Sequence, residues 1–137
     1  MPESAAYLIA YINMKKSLPI NMDQKMVLQD LLKVKETIDE SLKPASLKNI
    51  LHALEAVAST FKTALPEEMG LKVYLGILKD IPHLAMQRAC LKVCSTHKYP
   101  NFPTPISFIE ASQSTNEMLL IFKKRTDLAI NNLNQMQ

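Results

Sequence analysis

The sequence predicts an all-α fold: a single compact domain over residues 1–137, built from five to seven helices as a bundle or an orthogonal array. Three observations predict it. The chain has only two glycines, Gly70 and Gly76, while leucine and methionine are abundant and β-branched residues rarely run together, which favours helix over strand. Hydrophobic residues make up 47% of the chain and charged residues 21%, a balance typical of a folded soluble protein. A chain of this length can also bury a sizeable core.

The first two helices are predicted from caps and apolar spacing. Ser4 is expected to cap a short helix that ends near Met14, and residues 15–22 to form a connector. Asp23 is expected to cap a second helix that ends before Pro44. Apolar residues recur along it at helical spacing and should face the core: Met26, Val27, Leu31, Val34 and Ile38.

The third helix has the most regular apolar pattern. Ser46 is expected to cap it. Its predicted core positions follow the i, i+3, i+4, i+7 spacing of one helix face: Leu47, Ile50, Leu51, Leu54, Val57, Ala58 and Phe61.

Proline residues mark the starts of three further helices. Pro66 is predicted at the first helical position of a fourth helix that runs to about Lys79. Pro82 should open a fifth helix reaching about His97, and Thr104–Pro105 a sixth, with the threonine as its cap.

The last part of the chain permits two interpretations. Residues 111–116 are polar and interrupt the apolar pattern, and Ser114 followed by Glu117 fits a capping box. Either the sixth helix kinks there or a separately packed helix over 115–133 begins. The apolar residues of this C-terminal segment form a broad surface, through which we expect that the protein could form a homodimer. They are Leu119, Leu120, Phe122, Leu128 and Leu133.

Charge and hydropathy indicate a cytoplasmic protein without a membrane partner. The formal net charge is +3, spread along the chain, with one basic cluster at Lys123, Lys124 and Arg125. This cluster is more typical of a solvated helix face than of phosphate contacts, so nucleic-acid binding is possible but not indicated. No apolar run approaches the roughly 20 residues of a membrane span, and Glu3 stands where a signal peptide would carry positive charge.

Four potential metal ligands lie on the predicted fifth helix. His83, Cys90, Cys94 and His97 are spaced by seven, four and three residues and share one side of that helix. Cysteine and histidine are the ligands zinc prefers, and an exposed thiol pair could instead serve redox sensing. However, the same arc also carries a typical core stripe, formed by Ala85, Met86, Ala89 and Val93. We therefore expect these residues to pack in the core, with no metal and no cofactor.

The sequence predicts no enzyme. Glu67 and Glu68 are adjacent and diverge on a helix, where they suit the positive end of the helix dipole better than acid–base catalysis. No glycine-rich phosphate loop, nucleophile elbow or two-histidine metalloprotease motif is found in the sequence. The eight methionines offer adaptable contacts, which favours a protein that binds another macromolecule.

Residues 70–111 resemble a helical module of phage and prophage replication proteins that load the host replicative helicase. The resemblance is carried by Tyr74, Leu78 and Ile81–Pro82, followed by Tyr99–Pro100 and by 102–105 with Phe108. It implies a non-enzymatic adaptor in the bacterial cytoplasm that binds the helicase, or another replication protein, through helix faces. Tyr74 stands where such proteins often have tryptophan, and the sequence has no ATPase motif, so an ATP-driven loader is not implied.

The candidate partner-binding residues are the aromatics and the turn of this region, together with the basic cluster: Tyr74, Tyr99, Asn101, Phe102, Lys123, Lys124 and Arg125. The apolar residues expected to pack the junction between these helices are Ile77, Leu78, Ile81 and Phe102. Two other functions stay open. One is a phage-encoded inhibitor of a host protein, such as a defence nuclease or a polymerase. The other is a structural, oligomerising helical protein.

Overall fold

The structure is a computed structural model that describes residues 3–19, 21–97 and 101–136, without the side chains of residues 3 and 4. The described residues form six α-helices and no strand, which confirms the all-α class with five to seven helices. The expected cap at Ser4 lies outside the described side chains. The helices are α1 (Glu3–Lys15), α2 (Gln24–Leu42), α3 (Leu47–Phe61), α4 (Glu68–Leu78), α5 (His83–Thr96) and α6 (Pro105–Asn134).

The chain divides into two compact units. Unit 1 comprises Met1–Glu40 and Met118–Gln137, and unit 2 comprises Ser41–Glu117. Unit 1 therefore contains α1, nearly all of α2 and the C-terminal part of α6. Unit 2 contains α3, α4, α5 and the N-terminal part of α6. That the chain behaves as one domain stays a prediction.

The core of unit 1 is formed by one face of each of its three helices. The Asp23 side chain caps α2, since its Oδ1 accepts a hydrogen bond from the Lys25 amide at 3.1 Å. Met26 does not belong to the core, and that prediction is wrong, because Met26 lies about 100° around the helix from Val27 and is exposed. The buried residues are Ile9, Ile12, Val27, Leu31, Ala129 and Leu133.

The core of unit 2 is centred on α3, which packs against α4 and α5. Ser46 caps α3 as predicted, with its Oγ accepting from the Asn49 amide at 3.2 Å. Leu47, at the first helical position, was predicted to lie in the core, and that prediction is wrong because its side chain is exposed. The fully buried residues include Ile50, Leu54, Val57, Leu78, Met86, Ala89, Val93 and Phe108.

The helix starts of unit 2 follow the proline positions with small shifts. α4 begins at Glu68 with Glu67 as its N-cap, so Pro66 precedes the helix instead of opening it. Pro82 is the N-cap of α5, and the next amide, that of His83, donates to the Lys43 carbonyl at 2.7 Å. α6 begins at Pro105 as predicted.

α6 continues without a break through the polar residues 111–116. No new helix begins at Ser114, so that start is wrong, whereas the separate packing of residues 115–133 stays a prediction. Ser112 and Thr115 are buried, and the Ser112 hydroxyl donates to the Ile109 carbonyl at 2.7 Å, so its polar atom is satisfied within the helix itself. Polar residues that bond within their own helix do not need to end it.

The C-terminal part of α6 uses much of its apolar surface inside unit 1. Leu133 belongs to the core of unit 1 and Leu119 is also buried, whereas Leu120 and Leu128 are about half exposed. Part of the surface that suggested a homodimer is thus core. Removal of residues after Glu117 would disrupt unit 1 as well as any dimer contact.

Candidate partner-binding surface

The aromatic residues of the predicted site form an internal cluster of unit 2. Tyr74 is half-buried on α4, and its hydroxyl donates to the Pro103 carbonyl at 2.8 Å. The Phe102 ring lies between Tyr74 and Phe108, with ring centroids 5.7 Å and 6.2 Å apart. Burial raises the pKa of Tyr74. These aromatics therefore hold the segment before α6 against α4, and their contribution to partner binding stays a prediction.

Asn101, which precedes α6, is hydrogen-bonded to the residue that follows α5. Nε2 of His97 lies 2.9 Å from the Asn101 carbonyl oxygen, which can accept its hydrogen bond. The Phe61 ring meets the His97 ring edge-on, with centroids 5.2 Å apart. Asn101 itself is exposed and accessible to a partner. Tyr99 lies outside the described residues.

The basic cluster does not form one patch. Successive residues of a helix point about 100° apart, so Lys123, Lys124 and Arg125 diverge. Lys123 approaches Asp39 of α2, with Nζ 3.9 Å from Oδ1. Lys124 is exposed, and Arg125 lies on the side of α6 that faces α1, where its carbonyl accepts from Asn13 Nδ2 at 3.0 Å. The three residues therefore have different surroundings.

The two cysteines pack against the core of unit 2, which confirms their core assignment. Cys90 and Cys94 are half-buried, and burial, with a smaller contribution from Cys94, raises the pKa of Cys90 to about 11. The described residues contain no group of three or more histidine, cysteine or acidic side chains placed to hold a metal ion.

Unit 2 has an exposed apolar surface on α4 whose residues are not among the predicted partner-binding residues. Met69, Val73 and Ile77 lie four residues apart on α4 and so share one face of that helix. Their exposed fractions are 79%, 58% and 43%. We call these three residues the α4 ridge. The prediction that Ile77 packs the helix junction is wrong, because Ile77 lies on this outer face.

The opposite face of α4 is also apolar, and it forms part of the core. Leu78 is fully buried there, and Leu71, Tyr74 and Leu75 pack against the same cluster. A helix that is apolar on both faces is normally buried on both. The spacing of Met69, Val73 and Ile77 beside these core residues is the sequence signal that could have revealed the ridge.

Gly76 lies beside the α4 ridge and is not needed by the packing of the chain. Apart from the neighbouring backbone of α4 itself, a Cβ at Gly76 meets no described atom within 4 Å, and no described glycine has a positive φ. Glycine inside a helix is unfavourable relative to alanine by about 0.5–1 kcal/mol. The packing of the described residues therefore does not require glycine at this position.

Comparisons of the chain with protein-family models, with curated proteins and with solved structures found no match. Among the described residues, every helix is too short or too polar to cross a bilayer.

Proposed function

We propose that this protein is a non-enzymatic adaptor that binds a DNA-replication protein, such as the replicative helicase of a bacterial host. The observation that carries the proposal is the α4 ridge. It lies within residues 70–111 and just before them, in the region that resembles helicase-loading modules. An adaptor of this kind binds through helix faces, and the ridge is an apolar helix face without a partner in its own unit.

The ridge suits a helix-in-groove contact. Met69 and Ile77 are eight residues apart, so the ridge extends about 12 Å, or roughly two helical turns. Its three apolar side chains have the i, i+4, i+8 spacing with which a helix enters a hydrophobic groove. Gly76 would let the partner's backbone approach α4 closely, and the flexible Met69 side chain can adapt to the partner's surface.

Direct binding to a purified bacterial replicative helicase tests the proposal. Isothermal titration with the full chain should detect a complex, and Val73→Glu should weaken it at least about tenfold, because a carboxylate would be buried against an apolar groove. Leu91→Glu is the matched control. Leu91 is 72% exposed on α5, so that variant adds the same charge at an exposed apolar position away from the ridge.

Two results would contradict the proposal. One is no complex between the wild-type chain and the helicase. The other is equal weakening by Val73→Glu and Leu91→Glu. A pull-down from host lysate that recovers a defence nuclease, and no replication protein, would favour the inhibitor function instead.

A further inference from the structure

A groove runs along unit 1 between α1 and the C-terminal part of α6. Its volume is about 330 Å³. α1 supplies one wall, in which Ala6 and Ala10 are small residues four positions apart. The described residues that line it are Ala6, Ile9, Ala10, Asn13, Phe122, Arg125 and Leu128.

Hydrogen bonds fix the two helices that form this groove. Asn13 Nδ2 donates to the Arg125 carbonyl at 3.0 Å, and Asn132 Nδ2 donates to Asn13 Oδ1 at 3.1 Å. Asn132 is buried. Because Asn13 bonds with both its amide nitrogen and its oxygen, it sets the register of α1 on α6, and the groove is formed before any partner binds.

Exposed apolar side chains surround the groove. On α1, Tyr7 and Met14 lie next to Ala10 around the helix, and on α6, Ile121 lies on the same flank of Arg125 as Leu128, which also lines the groove. These four side chains are between 47% and 76% exposed. The small wall and the large apolar rim together form a surface on which a helix could rest between two others, as in a helical bundle.

The charge of the groove indicates the chemistry of its occupant. Arg125 is the one charged residue among the described residues of the lining, and its guanidinium is a cation with several N–H donors. Lys123 lies toward Asp39, on another side of α6, so it does not share this surface. A carboxylate is therefore the complementary group for this site, and arginine can bind it with two hydrogen bonds.

We infer that this groove docks an amphipathic helix of a protein partner, with apolar side chains against the alanine wall and an acidic side chain at Arg125. This goes beyond the adaptor proposal, since it concerns a different surface in a different unit. A symmetric second copy is disfavoured, because it would present the same lining to the groove, and the described residues of that lining offer no carboxylate to Arg125. Nucleic acid is disfavoured because the rim is apolar.

A displayed library of helical peptides, selected on the full chain, provides the probe. Selected peptides should combine apolar residues three or four positions apart with an acidic residue. In fluorescence anisotropy, Arg125→Glu should weaken the affinity for the best peptide at least about tenfold. Exchange of the peptide's acidic residue for lysine should restore binding to that variant. Lys124→Glu is the matched control, because Lys124 is exposed and does not line the groove.

Several results would overturn the inference. One is that no selected peptide binds with a Kd below about 100 µM. Another is that the best peptide binds the Arg125→Glu variant as tightly as it binds the wild type. Loss of binding without rescue by the lysine peptide would also overturn it, as would a dimer in sedimentation that Arg125→Glu dissociates. If a double-stranded oligonucleotide competes with the peptide for the groove, the ligand of the groove is nucleic acid and not a protein helix.

Discussion

Replacement of Gly76 by alanine is expected to stabilise the protein. Glycine in the interior of a helix is less favourable than alanine by about 0.5–1 kcal/mol, because it loses more backbone entropy on folding. Apart from the neighbouring backbone of α4 itself, the new methyl group would meet no described atom within 4 Å, and the backbone at Gly76 does not have a positive φ. No steric or conformational penalty offsets the gain. The free energy of unfolding should therefore rise by about 0.5–1 kcal/mol.

Urea denaturation followed by circular dichroism measures this change. With an m-value of about 2 kcal/mol/M, the midpoint should rise by roughly 0.3–0.5 M. Gly76 lies in unit 2, so if two transitions are observed, the shift should appear in the transition of that unit. Gly70→Ala is a useful comparison, because its Cβ would lie 3.5 Å from Pro66 Cβ, an ordinary contact, and should also be tolerated.

The same Gly76→Ala variant should bind the helicase more weakly while it folds more stably. A methyl group beside the ridge would hold a partner's backbone away from α4. An unchanged or lower urea midpoint would refute the reasoning about stability and show that the fold needs this glycine. Unchanged helicase binding by the stabilised variant would refute the close approach at Gly76.

Three further predictions concern unit 2. Tyr74→Phe removes the hydrogen bond to Pro103 and should lower the free energy of unfolding by about 0.5–1.5 kcal/mol in urea denaturation, and an unchanged value would mean that water replaces the hydroxyl. Ser46→Ala removes the cap of α3 and should lower the free energy of unfolding by about 1 kcal/mol, whereas Ser46→Asn should retain most of the stabilisation from the cap. The pKa of Cys90 is raised from 9.0 to about 11, so the folded state holds this proton more tightly than the unfolded chain. The stabilisation linked to it should be complete below pH 9 and lost as pH rises through about 11, a decline that Cys90→Ala should lack in urea titrations at stepped pH.

Helix caps were predictable because each depends on a few neighbouring residues. Asp23, Ser46 and Thr104–Pro105 stand at helix starts as the sequence indicates. Ser114 fits the same local rule but lies inside α6. The local pattern failed there because buried polar residues nearby, such as Ser112, are satisfied within the helix, and nothing in a capping motif reveals whether a neighbouring residue is buried.

The candidate surfaces were less predictable than the helices. Tyr74 and Phe102 were selected for display, yet their rings pack together in unit 2. The α4 ridge was overlooked, although its spacing is visible in the sequence, because spacing alone does not reveal which of two apolar faces the core covers. Arg125 was selected as one of three similar cations, and only its place in the groove separates it from Lys124.

The sequence by itself determined the helices of this protein, since helical spacing, caps and prolines act over a few residues. Tertiary structure alone decided which apolar residues are buried and which side chains share a surface. Leu78 is core while Ile77, its neighbour, is exposed, because one side of α4 meets the rest of unit 2. Asn13 meets Arg125 across 112 positions of sequence. Burial depends on elements that are distant in the chain, and no local pattern contains that information.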